Sequence, residues 1–545
     1  MTLAPECSFQ WDGAAIAIFL GAIPLAVVMT IATLLLYRRS IGCAMRSGTD
    51  EKLPIPEPLP APPPVHPLAI LKVSRERQPA ERSLSLDLST RSKRRLSLVN
   101  TLAGVTHASI ATLIMFWLND LELKAIRTLT VWVVFMWPVL MVWLMTLANT
   151  RLQQLLLAST YFGLLLLLEI VLETFQLRNQ PAFGELFLLW SIIMGTPTTV
   201  TLLLANRAWR SLGLITLFIS IVLMAAYLLG FQLLGCLVLT TRMHLLLQAM
   251  PYLQISILIF CAVLSWFVVR RVASNYQSKR TSDQMLTLDS LWLLVTALEV
   301  LFQMTASGLA SLFFLSAFAG YKLVLHWGLK YTARQNQSNP QFPMLLLRVF
   351  GHTKRTRTLT DQVGQTWRHA GPINMIGGID LATALLEPDE LMAFWSGKLR
   401  QGFIASAMDL DKRLNNLDEK PDPDGRYRIN EFFCHDNTWQ MTVRELARRS
   451  KVVLMDLRGF GRQNRGCEFE LGLLLNEVPL TKVTLLVDRT TRIEDLQALL
   501  QTLWAALPSS SPNHKLTHPA LQLFDVEDSG KALKPLLSHL FKAAA

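Results

Sequence analysis

Charge is what this sequence has least of. Charged side chains make up 17% of the 545 residues and hydrophobic ones 51%, a balance that fits neither one soluble globule nor a disordered chain. Cysteine is also sparse. Cys7, Cys43, Cys236, Cys261, Cys434 and Cys467 form no CxxC pair, which argues against a zinc ribbon and against a disulfide framework, so no metal is expected. Acids are outnumbered, with a net charge of +12. The basic residues form no cluster interleaved with aromatics, so nucleic acid is not an expected partner.

The hydrophobic residues come instead in long blocks, and those imply a lipid bilayer. Ala14–Tyr37 is long enough to cross, has no Lys or Arg before it and is followed at once by Arg38 and Arg39. That asymmetry places the N-terminus outside. Residues 38–98 read as a hydrophilic cytosolic loop, with a Pro-rich spacer at Pro54–Pro67 and a Ser/Arg-rich stretch ending in RSKRR. Apolar blocks then recur at Thr101–Trp117, Leu129–Leu147, Leu155–Leu172, Leu186–Leu204, Leu212–Leu234 and Tyr252–Val269. The loops between them alternate between basic and acidic, apart from Gly235–Pro251, which carries Arg242 and no acid. Leu291–Leu325 is too long for one crossing and is basic on both flanks, so it reads as a helical hairpin turning near Thr305–Gly308. The total is about nine spans, ending in the cytosol, in what compact loops suggest is a bacterial inner membrane. Glu169 and Glu299 are the acids at membrane depth, and Pro138 and the Gly195-Thr-Pro-Thr-Thr run the candidate helix breaks.

After a polar linker, 335–343, the composition becomes that of a soluble domain, 344–545. Short apolar runs at Met344–Phe350, Ile373–Ile376, Val452–Asp456, Val483–Asp488 and Leu521–Val526 alternate with helical patterns. Such alternation predicts βα units and a mainly parallel sheet of flavodoxin or Rossmann type. The chain thus divides into an N-terminal helix (1–37), a loop (38–98), a multi-span region (99–334), the linker and a cytosolic α/β domain.

Lys451–Leu475, KVVLMDLRGFGRQNRGCEFELGLLL, holds the candidate chemistry. A strand runs out at Asp456, a loop rich in Gly, Arg and Asn follows, and a helix carries Cys467, Glu468 and Glu470. In open α/β sheets such carboxyl-end loops hold ligands. Asp456 can accept ribose hydroxyls, Arg458, Arg462 and Arg465 can meet phosphates, and Gly459 and Gly461 let the backbone approach closely, with Asn464 beside them. Gly377-Gly378 ends another strand but lacks the full GxGxxG. Glu468 and Glu470 point apart on a helix, so one of them can face a cleft. The alternatives are structural: Asp456 paired with Arg458, Glu470 on the surface, Cys467 packed in the core, and Cys434-His435-Asp436 too close in sequence to face one another.

The same segment resembles the part of Toll/interleukin-1 receptor (TIR) domains where a strand, a short loop and a W-C-x-x-E-L helix follow one another. Gly466 stands where that family often has Trp, Cys467 at its Cys, Glu470 at its Glu and Leu471 at its Leu. LLRVFGH, Leu346–His352, loosely resembles the first TIR strand and its loop. The resemblance implies a TIR-like fold and a role for Glu470 in cleaving the nicotinamide–ribose bond of NAD, with NAD or another nucleotide as ligand or substrate. Three expectations follow: a membrane sensor or signalling effector that binds and cleaves a nucleotide, self-associating as it acts; a non-catalytic scaffold; and a transporter or channel with a regulatory cytosolic domain.

Overall fold

The computed structural model describes residues 11–46, 64, 66–73, 84–148, 151–175, 183–204, 207–241, 244–336, 341–350, 353–379, 386–417, 419–461, 463–526 and 533–545. The chain divides into two units: Met1–Leu36, Leu96–Tyr331 and Leu385–Ser396 form one, and Tyr37–Arg95, Thr332–Ala384 and Gly397–Ala545 the other.

The first unit is helical. Among the described residues six helices are long and apolar enough to cross a membrane: Gly21–Arg46, Leu86–Leu118, Leu152–Leu172, Met250–Gln277, Asp283–Met304 and Gly308–Gln335. A seventh crossing arises if Ala125–Phe135 and Trp137–Thr146, bent by 51°, count as one span. The sequence expectation of nine is corrected accordingly. Its blocks Leu186–Leu204 and Leu212–Leu234 lie in helices Phe183–Leu204 and Arg207–Thr241, of which Ile215–Leu228 alone qualifies as an apolar helix on the described residues. The bend follows from Pro138, which has no N–H to donate and sits at the start of the second half. Pro197, by contrast, leaves its helix continuous.

The terminal hairpin is present. Helix Asp283–Ser307 stops at Gly308, whose φ of +55° favours glycine. Lys322 pairs with Asp289 at 2.7 Å, and the rings of Trp292 and Tyr321 lie 5.5 Å apart. These partners are nearly equidistant from the turn, as antiparallel helices require. On helix Leu84–Leu118 a glycine allows close packing of its neighbours: a Cβ on Gly104 would stand 2.5 Å from Val139 and 2.7 Å from Trp292. Residues 385–396, expected in the α/β domain, cluster with this unit, Leu391 being buried there on helix Pro388–Trp395.

The second unit is built on a seven-stranded parallel sheet. In chain order its strands are β1 (Ala69–Val73), β2 (Met344–Arg348), β3 (Ile373–Ile376), β4 (Ile429–Phe432), β5 (Val452–Asp456), β6 (Val483–Val487) and β7 (Ala520–Asp525). The spatial order is β1-β7-β6-β5-β2-β3-β4. MLLLR, VVLMD and VTLLV are buried at every position, as expected of central strands covered on both faces. Their inward side chains join Leu446, Leu471, Leu474, Leu496 and Leu500 of the neighbouring helices in one apolar core.

Two strands were not anticipated. β4 carries Asn430 and Glu431, which break its apolar run. β1 comes from the stretch expected to be a loop and adds to the sheet edge in register with β7, Ala69 opposite Ala520. Trp504 Nε1–H donates to the His66 carbonyl at 2.9 Å, and the Ala69 N–H donates to Pro519 O at 2.9 Å. Helix Leu84–Leu118 likewise begins within this unit, where Ser89 bonds the Thr366 carbonyl. In the turn before β4, Asp422 pairs with Arg428 and Asp424 with Arg426, at 2.9 and 2.8 Å.

Candidate functional site at the carboxyl edge of the sheet

From β2 the chain winds outward to β4, then returns to β5 on the other side of β2. Strand order reverses between β2 and β5, and at such a switch point the loops leaving the carboxyl ends diverge and open a crevice. Arg348 and Asp456 are register partners there. The loop singled out in the sequence therefore leaves β5 at the position where an open α/β sheet holds ligands.

Asp456 is committed within its own loop. Arg458 donates to its Oδ1 through Nε at 2.8 Å and through the backbone N–H at 3.2 Å, and its Nη2 meets Oδ2 at 2.7 Å. The structural alternative is thus what the geometry shows. Gly459 has a φ of +81° in a turn closed by the Phe460 N–H on Leu457 O at 3.0 Å, a backbone state that glycine takes without strain. Asn464 turns its side chain back to accept from the Gly461 N–H at 2.9 Å and does not cap the helix it precedes. Arg465 is exposed. Arg462 lies outside the described residues.

Helix Arg465–Glu477 resolves the two glutamates: Glu468 is exposed and Glu470 is 3% exposed. Its Oε2 is buried with no hydrogen-bond partner. Burial pushes the Glu470 carboxyl up to about 8, the Arg348 guanidinium acting in the opposite direction. Glu470 is therefore mostly protonated at neutral pH, a buried acid with an unused oxygen. Cys467, one turn earlier, is buried in the core; burial, then Glu470 and Asp456, push its thiol up to about 12. The glutamate, the aspartate and the thiol thus share one electrostatic neighbourhood beside Arg348. Gly466 lies against Trp439 from the preceding helix, 3.8 Å from where a Cβ would stand, and Trp439 meets Phe469 edge-on at 5.2 Å.

Arg348 is the residue that the sequence reading passed over. It is 3% exposed, with its guanidinium 4.6 Å above the Phe350 ring. One cation in the apolar run MLLLRVF was the available signal. Gly377 and Gly378, at the end of β3, are buried. A Cβ on Gly377 would stand 2.7 Å from the Phe433 ring, so packing accounts for that glycine. Cys434 bonds Thr442 at 3.4 Å with its thiol pushed up by burial to about 12, while His435 Nδ1 lies 3.0 Å from Ala44 O and its ring against Phe403. These neighbours do not form a nucleophile set. Among the described residues no group of three or more His, Cys, Asp or Glu could hold a metal.

No family model and no curated protein matches this chain. In the helical unit, the acids noted in the sequence lie on helices Arg151–Phe175 (Glu169) and Asp283–Ser307 (Glu299). One buried polar contact in that unit joins His107 Nε2 and Thr296 Oγ1, at 2.8 Å.

Proposed function

We propose that the α/β unit binds a nucleotide at the carboxyl edge between β2 and β5, and that the apolar helices anchor it in a membrane, N-terminus outside and α/β unit in the cytosol. One observation carries the site: Glu470 is buried with a free Oε2 at the strand-order reversal. A buried polar oxygen without a partner costs about 1–3 kcal/mol, and a ligand that supplies the partner regains it.

The resemblance of Cys467, Glu470 and Leu471 to the TIR helix motif supports NAD as that ligand. Its nicotinamide ring is cationic and would draw Glu470 into its ionised form. Cleavage then breaks the bond from ribose C1′ to the ring nitrogen, the electron pair leaving with nicotinamide. Ionised Glu470 stabilises the oxocarbenium-like centre, and water adds at C1′ and loses a proton. Arg348 and Arg458 are the cations available to the phosphates. A non-catalytic signalling scaffold is the second reading, favoured by the Asp456–Arg458 pair, which leaves the aspartate no free oxygen.

The test uses the full chain in detergent, because a fragment starting at the 335–343 linker would lack β1 and leave β7 as a bare edge. Parent and Glu470→Gln proteins are incubated with NAD at high concentration, where self-association is favoured, and nicotinamide release is followed. Release by the parent and a loss of at least about a hundredfold in the variant support the reading. NAD binding without release leaves a nucleotide sensor, and no binding by either protein moves the weight to the scaffold.

A further inference from the structure

A second place in the sheet-bearing unit gathers buried polar groups, well away in sequence from the β5 loop. Helix Leu533–Ala544 brings His539 to the Phe524 ring of β7, centroids 6.3 Å apart, and beside them lies a cavity of about 280 Å³ lined by Thr481, Gln522, His539, Lys542 and Ala543. His539 is 8% exposed, and its Nε2 is buried without a hydrogen-bond partner. Gln522 Oε1 is buried and unpartnered too, as is Oγ1 of Thr484, the register partner of Gln522 across β6 and β7. Three such atoms on one patch of a packed face are unusual, because buried polar groups ordinarily find partners. One ordered water cannot account for the space: liquid water occupies about 30 Å³ per molecule, so the cavity could take roughly nine.

The side chains define the ligand. Lys542 follows His539 by one helical turn, on the same side of the helix, and is exposed, as is Thr481. The mouth therefore offers an ammonium group and a hydroxyl. The floor offers uncharged donors and acceptors, since burial and then Lys542 hold the His539 imidazole below its ordinary value and so neutral. A floor of this kind takes a hydroxyl or amino group, and the mouth takes a carboxylate.

We propose that this cavity is a second binding site, for a small organic acid carrying a hydroxyl or amino group, bound with its carboxylate at Lys542 and its other polar group against Gln522 and His539. The size suits it, falling just below the range of pockets that hold drug-sized ligands. The site is independent of the β2–β5 crevice and of what binds there.

Thermal melting of the full-length protein in detergent, with malate, glutamate or lactate at matched ionic strength, tests it. A saturable rise in melting temperature is expected with at least one acid, its midpoint moving tenfold or more to higher concentration in Lys542→Met, an exposed position where the fold is not at risk. His539→Leu should abolish the rise. The proposal is overturned if none of the three acids gives a saturable, Lys542-dependent rise. If Gln522→Leu and His539→Leu then also melt above the parent, water alone occupies the cavity.

Discussion

Glu470→Gln tests the electrostatics of the site independently of any ligand. The carboxyl ordinarily titrates near 4.5 and in the fold is pushed up by burial to about 8. Between those values the folded chain holds a proton that the unfolded chain has lost, so stability falls as pH rises through that window and levels off above it. Glutamine has nearly the same shape and never ionises. The variant should therefore match the parent near pH 4.5 and gain on it steadily up to about pH 8. Each pH unit of displacement is worth about 1.4 kcal/mol, which gives an upper bound of about 5 kcal/mol for the whole window. Entry of water beside an ionised Glu470 would lower that to about 2–4 kcal/mol, or roughly 5–10 °C in melting temperature for a unit of this size. The assay is the difference in melting temperature between the two full-length proteins from pH 5 to 9, which cancels every other titrating group. Loss of the attraction to Arg348 does not obscure the trend, because below about pH 8 the parent carboxyl carries no charge to lose. A difference that stays flat over this range, or a parent more stable than the variant at pH 9, would refute the burial argument.

Three further outcomes follow from particular contacts. Binding of NAD should release close to one proton at pH 7, with affinity rising up to tenfold per pH unit below about 8, whereas the reduced dinucleotide, whose ring is uncharged, should do neither; calorimetry in buffers of different ionisation enthalpy separates the two, and proton-neutral NAD binding would sink the pairing of Glu470 with the ring. Gly377→Ala should destabilise the α/β unit by about 1–3 kcal/mol, since the new methyl group would meet the Phe433 ring at 2.7 Å; an unchanged melting temperature would mean that the ring moves freely. Ala69→Pro removes the N–H that donates to Pro519 O and should speed hydrogen exchange across β7 while β2 and β5 stay protected; unchanged exchange in β7 would show that β1 adds no protection to that edge.

What the sequence revealed and what it hid divide along a physical line. β2, β5 and β6 were legible because a strand buried on both faces must be a continuous apolar run, and Ile373–Ile376 and Val452–Asp456 fall where the sequence placed them. That Glu468 and Glu470 face apart was legible because helical periodicity is local, whereas which of them is buried was settled only by the packing of the helix. β4 escaped because Asn430 and Glu431 break its apolar run, and the partner that satisfies Asn430, Asn374 at 2.9 Å, is distant in the chain. β1 escaped for a stronger version of the same reason. AILKV between a Pro-rich and a Ser/Arg-rich stretch has no local partner; its strand state exists because β7, some 450 residues later, offers an open edge. The span count failed differently, since hydropathy finds blocks, while length, breaks and packing decide which become crossings. Arg348 joins both lessons. Alone in MLLLRVF it reads as a blemish in a strand, and its meaning comes from register, which sets it beside Asp456, and from the β5 helix that brings Glu470 within its field. A site assembled from the ends of two strands adjacent in space and about 100 residues apart in sequence cannot be read from either strand alone. Once β5 returns to the side of β2, the reversal of strand order alone puts both ends at one crevice.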